Sequence, residues 1–352
     1  MLPRCFRAGA VSAVVLVALA GCSAGSPLTP NNASGAGFAR HATSSGGGVM
    51  YVANGPYHTA GNVVEIDPKS GKVLKTLSSG IDDPTSLAVD SSGNLYVANR
   101  IAKNISVYAP GASSPSRTFS QGLVKPREML FDPAGDLDVL NVKTVTVYDP
   151  NSGTLLRTLK NKLTFVDALT FDPAGDVFVI NYEKKTKSWE IVEYGPGSTK
   201  VLRTFPISTE FEGATALAFG PDGYLYIGED NTVAVCDPMT GSVVRTIKDG
   251  VYGTEGLAFD SAGNFYVANG GAYDGPISVY ALGALEPSYE IKQTGLFGTA
   301  MLFDASNDLY VVSTDGGTSN DGIIDEFKPG KSSPKRSFDT GLMHPAAAVF
   351  GP

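Results

Sequence analysis

The chain has 352 residues, a formal net charge of −8 and only 18% charged residues, with 41 Gly, 22 Pro, 17 Phe and 15 Tyr but a single Trp. That composition favours many short strands and turns over helices. It also makes nucleic acid, or unaided adhesion to an anionic lipid surface, a poor match. Beyond residue 21 no stretch carries apolar residues at helical spacing.

In chain order, the first element is a targeting signal. Arg4 and Arg7 precede an apolar run over residues 8–20, too short for a resident membrane helix. The run ends in Leu19, Ala20, Gly21 and Cys22, which resembles the lipobox of bacterial lipoproteins. The resemblance implies a signal peptide over 1–21, cleavage before Cys22, and a lipid on its sulfur and new amino terminus. Several acyl chains would hold such a protein firmly on a membrane. Cleavage also removes Arg4 and Arg7 and takes the net charge from −8 to −10. Ser23, at the next position, is not an inner-membrane retention residue, which points to an exported protein on the extracytoplasmic side of an outer membrane. Residues 22–48 then comprise the lipidated Cys and a Gly/Ser/Asn-rich tether, whose average reach is roughly 25–30 Å. Cys5 leaves with the signal and Cys236 stands alone, so no disulfide framework is expected.

From residue 49 the chain repeats. FDPAGD occurs at 131–136 and again at 171–176, and the pattern around it recurs at 86–99, 128–141, 168–181, 216–229, 256–269 and 300–313. Each copy reads as a short strand, a tight Asp/Gly/Asn turn and a second strand. A third strand follows at 104–110, 144–150, 191–196, 232–238, 276–282 and 323–329, and a fourth at 116–119, 155–159, 201–205, 243–247, 287–291 and 335–338. Residues 344–352 match only a first strand, whereas 48–54, 62–68 and 73–77 match a second, third and fourth. The two ends together make a seventh repeat. The expectation is an all-β, seven-bladed β-propeller over 49–352, built of four-stranded antiparallel blades. Pairing of the C-terminal strand with the N-terminal blade (3+1) closes it. The interval from Tyr51 to Tyr310 gives about 43 residues per blade.

The stretch DPTSLAVDSSGNLYVAN (83–99) resembles NHL repeats, and NVVEIDPKSGKVLKTL (62–77) and VAVCDPMTGSVVRTI (233–247) resemble YVTN repeats of surface-exposed bacterial propellers. The resemblance implies the fold and leaves activity open, because such propellers host binding and several chemistries.

Repetition separates scaffold from function. The first-turn Asp (Asp90, Asp132, Asp172, Asp260, Asp304), the Asn ending the second strand (Asn54, Asn99, Asn141, Asn181, Asn269) and the basic residue of the fourth strand (Lys75, Arg117, Arg157, Arg203, Arg245, Arg336) recur and read as scaffold. The fourth-strand cations are expected to protect an open sheet edge. The position just before the inner strand, at the mouth of the central channel, varies: Thr85, Arg127, Asp167, Thr215, Glu255, Thr299, Ala346. Glu128 stands at the next position, where its siblings are small. Four second-to-third-strand segments, at 54–62, 181–190, 269–276 and 313–322, read as long loops on the same face. The candidate ligand-binding set is therefore Arg127, Glu128, Asp167 and Glu255 for electrostatic selection, with Tyr57, Trp189 and Tyr273 for stacking on a glycan or peptide.

The same mouth position carries metal-binding residues in six-bladed lactonases of the SMP-30 type, which this chain resembles at Glu255 and Asp167. The alternative is thus a calcium-dependent hydrolase using those two carboxylates, although calcium takes six to eight oxygens. His58 and His344 could meet on one face after ring closure. There is no G-x-S-x-G, P-loop or H-E-x-x-H motif, and a single Trp argues against a quinone-cofactor propeller. The sequence leans against an enzyme. It favours a monomeric, lipid-anchored binding or scaffolding module without a cofactor, whose ligand is a protein, peptide or glycan and whose membrane contact is the anchor alone. Feeding cells a labelled fatty acid tests the anchor: the label marks the wild-type chain and is absent from Cys22→Ala, and a labelled mutant would refute it.

Overall fold

One acceptor and one backbone conformation explain the repeated turn. Asp90 Oδ1 accepts the amides of Ser92 at 2.9 Å and Asn94 at 2.8 Å. Asp172, Asp260 and Asp304 do the same in their own turns. The turn then needs a left-handed residue, supplied by Gly93, Gly135, Gly175, Gly223 and Gly263 with φ of 79–89°, and by Asn307 at 63°.

The computed structural model describes residues 48–55, 60–207, 213–270, 275–292, 297–314 and 321–352. The signal, Cys22 and nearly all of the tether therefore lie outside the described residues, as do Tyr57, His58 and Tyr273. Among the described residues, 28 strands form seven four-stranded antiparallel sheets. No helix among them is long and apolar enough to cross a membrane. Blade 1 joins Pro345–Phe350 to Met50–Asn54, Asn62–Ile66 and Val73–Leu77. Blades 2–7 are continuous in sequence, with first strands Pro84–Val89, Glu128–Phe131, Val166–Phe171, Ala214–Phe219, Thr254–Phe259 and Phe297–Phe303. Ring closure follows the expected 3+1 pairing, with Met50 opposite Phe350, Tyr51 opposite Val349 and Val52 opposite Ala348. The closing strand also touches the first strands of blades 2 and 7.

The core lies between blades rather than within them. Seven hydrophobic clusters occur, one at each blade-to-blade interface. The slab between blades 7 and 1, for instance, holds Met50, Val52, Tyr310, Ile324 and Phe350. Second strands are buried on both faces, which explains their near-continuous apolar runs. Outer strands such as Val73–Leu77 are largely exposed.

The fourth-strand cations do more than protect an edge. Lys75 donates to the carbonyls of Gly111 (2.6 Å) and Ala112 (2.8 Å) in blade 2. Arg117 reaches Pro150 in blade 3, and Arg203 reaches Met239 in blade 5. Arg336 donates to Pro68 (3.1 Å) and Lys69, fastening blade 7 to blade 1. Arg157 and Arg245 instead bind carboxylates of their own blades. The strand-end Asn residues act locally. Asn99, Asn141, Asn181 and Asn269 accept the amides of Asp82, Val124, Thr164 and Tyr252, each 17 residues earlier, and so pin the incoming connector to its blade.

The closing strand buries Ala347, Ala348, Val349 and Phe350. Removing residues 345–352 would expose a full strand edge and two interface slabs. At roughly 1.5–3 kcal/mol for each large side chain, the truncated protein is expected to melt on the order of 10 °C lower in a thermal scan. Melting like the full chain would contradict closure.

Candidate functional site

The channel mouth is built by a backbone irregularity that repeats around the ring. The first strands of blades 2, 4, 5, 6 and 7 each lose register with the second strand at this point, as between Pro84 and Ser86 or Thr254 and Gly256; blade 1 does so around Ala346. Such a bulge re-aims the extra residue's side chain. The residues so placed include Thr85, Asp167, Thr215, Glu255 and Ala346, and all five are half-buried.

The local chemistry shows what this position does. Thr85 Oγ1 donates to Pro126 O at 2.9 Å, and Thr215 Oγ1 donates to Thr254 O at 2.6 Å. Arg127 Nη1 donates to Val166 O at 3.0 Å. In each case a mouth residue fastens its blade to the carbonyl just before the next blade's mouth residue. Arg127 also forms an ion pair with Asp167 at 2.6 Å and lies over the Phe165 ring at 5.8 Å. These two members of the candidate set are thus brought together as an inter-blade contact.

Glu255 breaks the pattern. A carboxylate cannot donate to the next blade, and no hydrogen bond or ion pair engages it among the described residues. It lies against the backbone of Gly270, where an added Cβ would stand 2.3 Å from Oε1 and would push the Glu255 side chain aside. Burial raises its pKa above the usual carboxyl range. Glu128 is buried at 7% exposure, one residue behind the mouth. Ser86, at the matching position in blade 2, accepts the amide of Met129 at 3.1 Å.

The expected loop over 181–190 is mostly strand. The hairpin Val177–Glu183 and Ser188–Tyr194 keeps pairing up to Glu183 opposite Ser188, leaving only residues 184–187 as its tip. Trp189 is half-buried, with its ring centroid 5.2 Å from that of Tyr182, and it packs on the core between blades 4 and 5. Its body is a structural support, and only part of its surface faces solvent. His344 is half-buried with φ of 52°, and whether it meets His58 lies outside the described residues. The Cys236 thiol is buried, and desolvation pushes its pKa to about 12, which makes it unreactive. Among the described residues no three His, Cys, Asp or Glu side chains converge as a metal-ligating group. A calcium site drawing on Asp167 would have to displace the Arg127 guanidinium.

Sequence reasoning missed Asp138. At its position the other blades carry Tyr51, Tyr96, Phe178, Tyr226, Tyr266 and Tyr310. Tyr96 and Tyr226 donate to a turn carboxylate, at 3.1 and 3.0 Å, and accept from an outer-strand Arg. Asp138 is fully buried, and neither oxygen has a hydrogen-bond partner among the described residues. Desolvation, with Asp132 nearby, raises its pKa well above the normal value. Comparing the same column in every repeat would have exposed it.

No protein-family model matches the chain, and no curated protein does. Solved structures do match in fold. Hydrazine synthase of Kuenenia stuttgartiensis superposes with a TM-score of 0.68 at 16% identity, over 87% of this chain and 99% of that one. A protein from Lactobacillus plantarum gives 0.67 at 18% identity, over 87% and 99%. The WD40 β-propeller domain of Doa1 gives 0.62 at 16%, over 86% and 97%. These likenesses show the fold, a seven-bladed β-propeller, which by itself fixes no activity.

Asp138 fixes the sign of one pH effect. Its folded pKa lies above the unfolded value of about 3.9, so its contribution to stability falls as pH rises from there toward the folded pKa. Asp138→Tyr is expected to stabilise the protein by roughly 1–3 kcal/mol at pH 8, by chemical denaturation, with the gain shrinking toward pH 4. A variant less stable than wild type at pH 8 would contradict this.

Proposed function

We propose that the chain is a binding or scaffolding module that works through the channel-mouth face. It is held by a lipid on Cys22 at the extracytoplasmic side of a membrane, on a propeller of the NHL/YVTN repeat type. The observation that carries the reading is Glu255. It occupies a position where Thr85, Arg127 and Thr215 fasten blades, it fastens nothing among the described residues, and its carboxyl lies against Gly270. A desolvated carboxyl kept without a partner at a channel mouth is a candidate for selecting ligand groups that donate hydrogen bonds or carry positive charge. Arg127 and Asp167 frame the same opening as a rigid pair. A metal-assisted hydrolase would need Asp167 released from Arg127, and no second observation favours it.

The face can be tested directly. A photo-crosslinking residue is placed at Val124, 56% exposed on the mouth face, and in a separate protein at Met239, 72% exposed in a turn at the other end of the blades. Irradiated in intact cells, the first is expected to yield a discrete adduct and the second none. Adducts from Met239 alone would overturn the reading.

A further inference from the structure

In the segments joining second and third strands, on the mouth face, charge is divided by blade. The segments joining second and third strands in blades 2, 3 and 4 are 100–103, 141–144 and 184–187. They carry Arg100, Lys103, Lys143, Lys184, Lys185 and Lys187 and no carboxylate. The equivalent segments of blades 5, 6 and 7 carry Asp230, Asp274 and Asp315 and no cation. Lys125 and Arg127 add to the basic side from the connector entering blade 3, and Lys160 and Lys162 from the connector entering blade 4. Ten of the 27 Lys and Arg residues of an acidic chain thus collect around three adjacent blades.

The two arginines are already committed. Arg100 holds Asp83 through two hydrogen bonds, of 2.7 and 2.9 Å, and Arg127 holds Asp167. The eight lysines are exposed, and none takes part in an ion pair among the described residues. Of the nearby acids, Glu183 accepts the amide of Lys185, Glu190 accepts Asn181 Nδ2, and Glu128 is buried. Four of these lysines, Lys103, Lys125, Lys162 and Lys187, are also kept against a backbone cost, with φ of 53–71°. Lys162 has φ of 71° where blades 2, 3 and 6 place Gly80, Gly122 and Gly250 at 75–80°. A left-handed non-glycine residue costs roughly 1–2 kcal/mol, and such strain concentrates where function needs the side chain.

We propose that the mouth-face sector of blades 2–4 is a docking surface for a linear anionic polysaccharide, a sugar chain bearing carboxylate or other acidic groups. This rests on the reading of the mouth face as the binding face and names a ligand class for its basic sector, apart from the Glu255 position in blade 6. Lysines are hydrated point charges on flexible stems, suited to a polymer with repeated charges rather than to one fixed bidentate group. Between them lie the half-exposed Tyr182–Trp189 pair, Ile101 at 44% and Val124 at 56% exposure, apolar surface that fits the C–H faces of sugar rings. The unpaired strand edges of blades 2–4 belong to their innermost strands and to the outermost strands Arg117–Phe119, Leu155–Leu159 and Val201–Pro206, not to the segments that carry the lysines. Val49, where the tether joins, pairs with Gly351 at the opposite end of blade 1, so an anchoring membrane would lie toward the other face.

The experiment measures binding of the full chain to polygalacturonate at low and at roughly physiological salt, with poly-L-glutamate and anionic phospholipid vesicles as competitors. The expected result is binding that weakens steeply with salt, falls at least tenfold in K184E/K185E/K187E, and persists in K69E/K72E/K331E on the opposite face. All variants should melt like the parent. Absence of polygalacturonate binding at low salt, or equal or tighter binding of poly-L-glutamate or vesicles, would overturn the inference. If Val124 still captured a partner in cells, the reading of the face would survive that failure. Loss of binding in K69E/K72E/K331E alone would overturn both.

Discussion

The strand pairing between Pro345–Phe350 and Met50–Asn54 is the constraint on which the rest depends. No blade has a core of its own, because every hydrophobic cluster is shared by two neighbours. An open array of seven blades would leave two faces exposed and one blade a strand short. Closure removes both defects at once, and it is why repeats that could not stand alone form a single unit. Side-chain fasteners reinforce it at two radii: Thr85, Arg127 and Thr215 near the channel, and Lys75, Arg117, Arg203 and Arg336 at the rim.

That fastening changes the meaning of the charged residues at the mouth. Arg127 and Asp167 stand out in sequence because they depart from Thr, yet Arg127 does what Thr does and adds an ion pair. Glu255 and Asp138 are departures of another kind. Each puts an ionisable group where the repeat uses a group that bonds to its surroundings, and each is desolvated without a hydrogen-bond partner among the described residues. Natural sequences break local rules mostly at functional sites, and the cost is tolerable here because the ring supplies many other interfaces.

The fold was legible in the sequence because its signals are local and repeated seven times. The Asp of five turns bonds amides within four residues, and a left-handed Gly or Asn follows at a fixed offset, so one motif located most strands. The hairpin of blade 4 reads as a loop in sequence because the polar run over 183–188 hides the strand ends, where Tyr182 pairs with Trp189 and Glu183 with Ser188. The site was less legible. Nothing in the linear order says that Arg127 faces Asp167 forty residues later, or that Trp189 is a buttress. The lysines of blades 2–4 are spread over five segments, and only the ring gathers them onto adjacent blades.

Native-state hydrogen exchange tests the central claim of closure most directly, because it reads the terminal strand without altering it. The account predicts that backbone amides of residues 346–350 that pair with Met50–Asn54 exchange only through global opening, as slowly as those of the inner strands of blades 2–7. Exchange of these amides orders of magnitude faster than the inner strands, while the rest of the molecule stays protected, would show a ring that is not closed by its ends and would contradict the account.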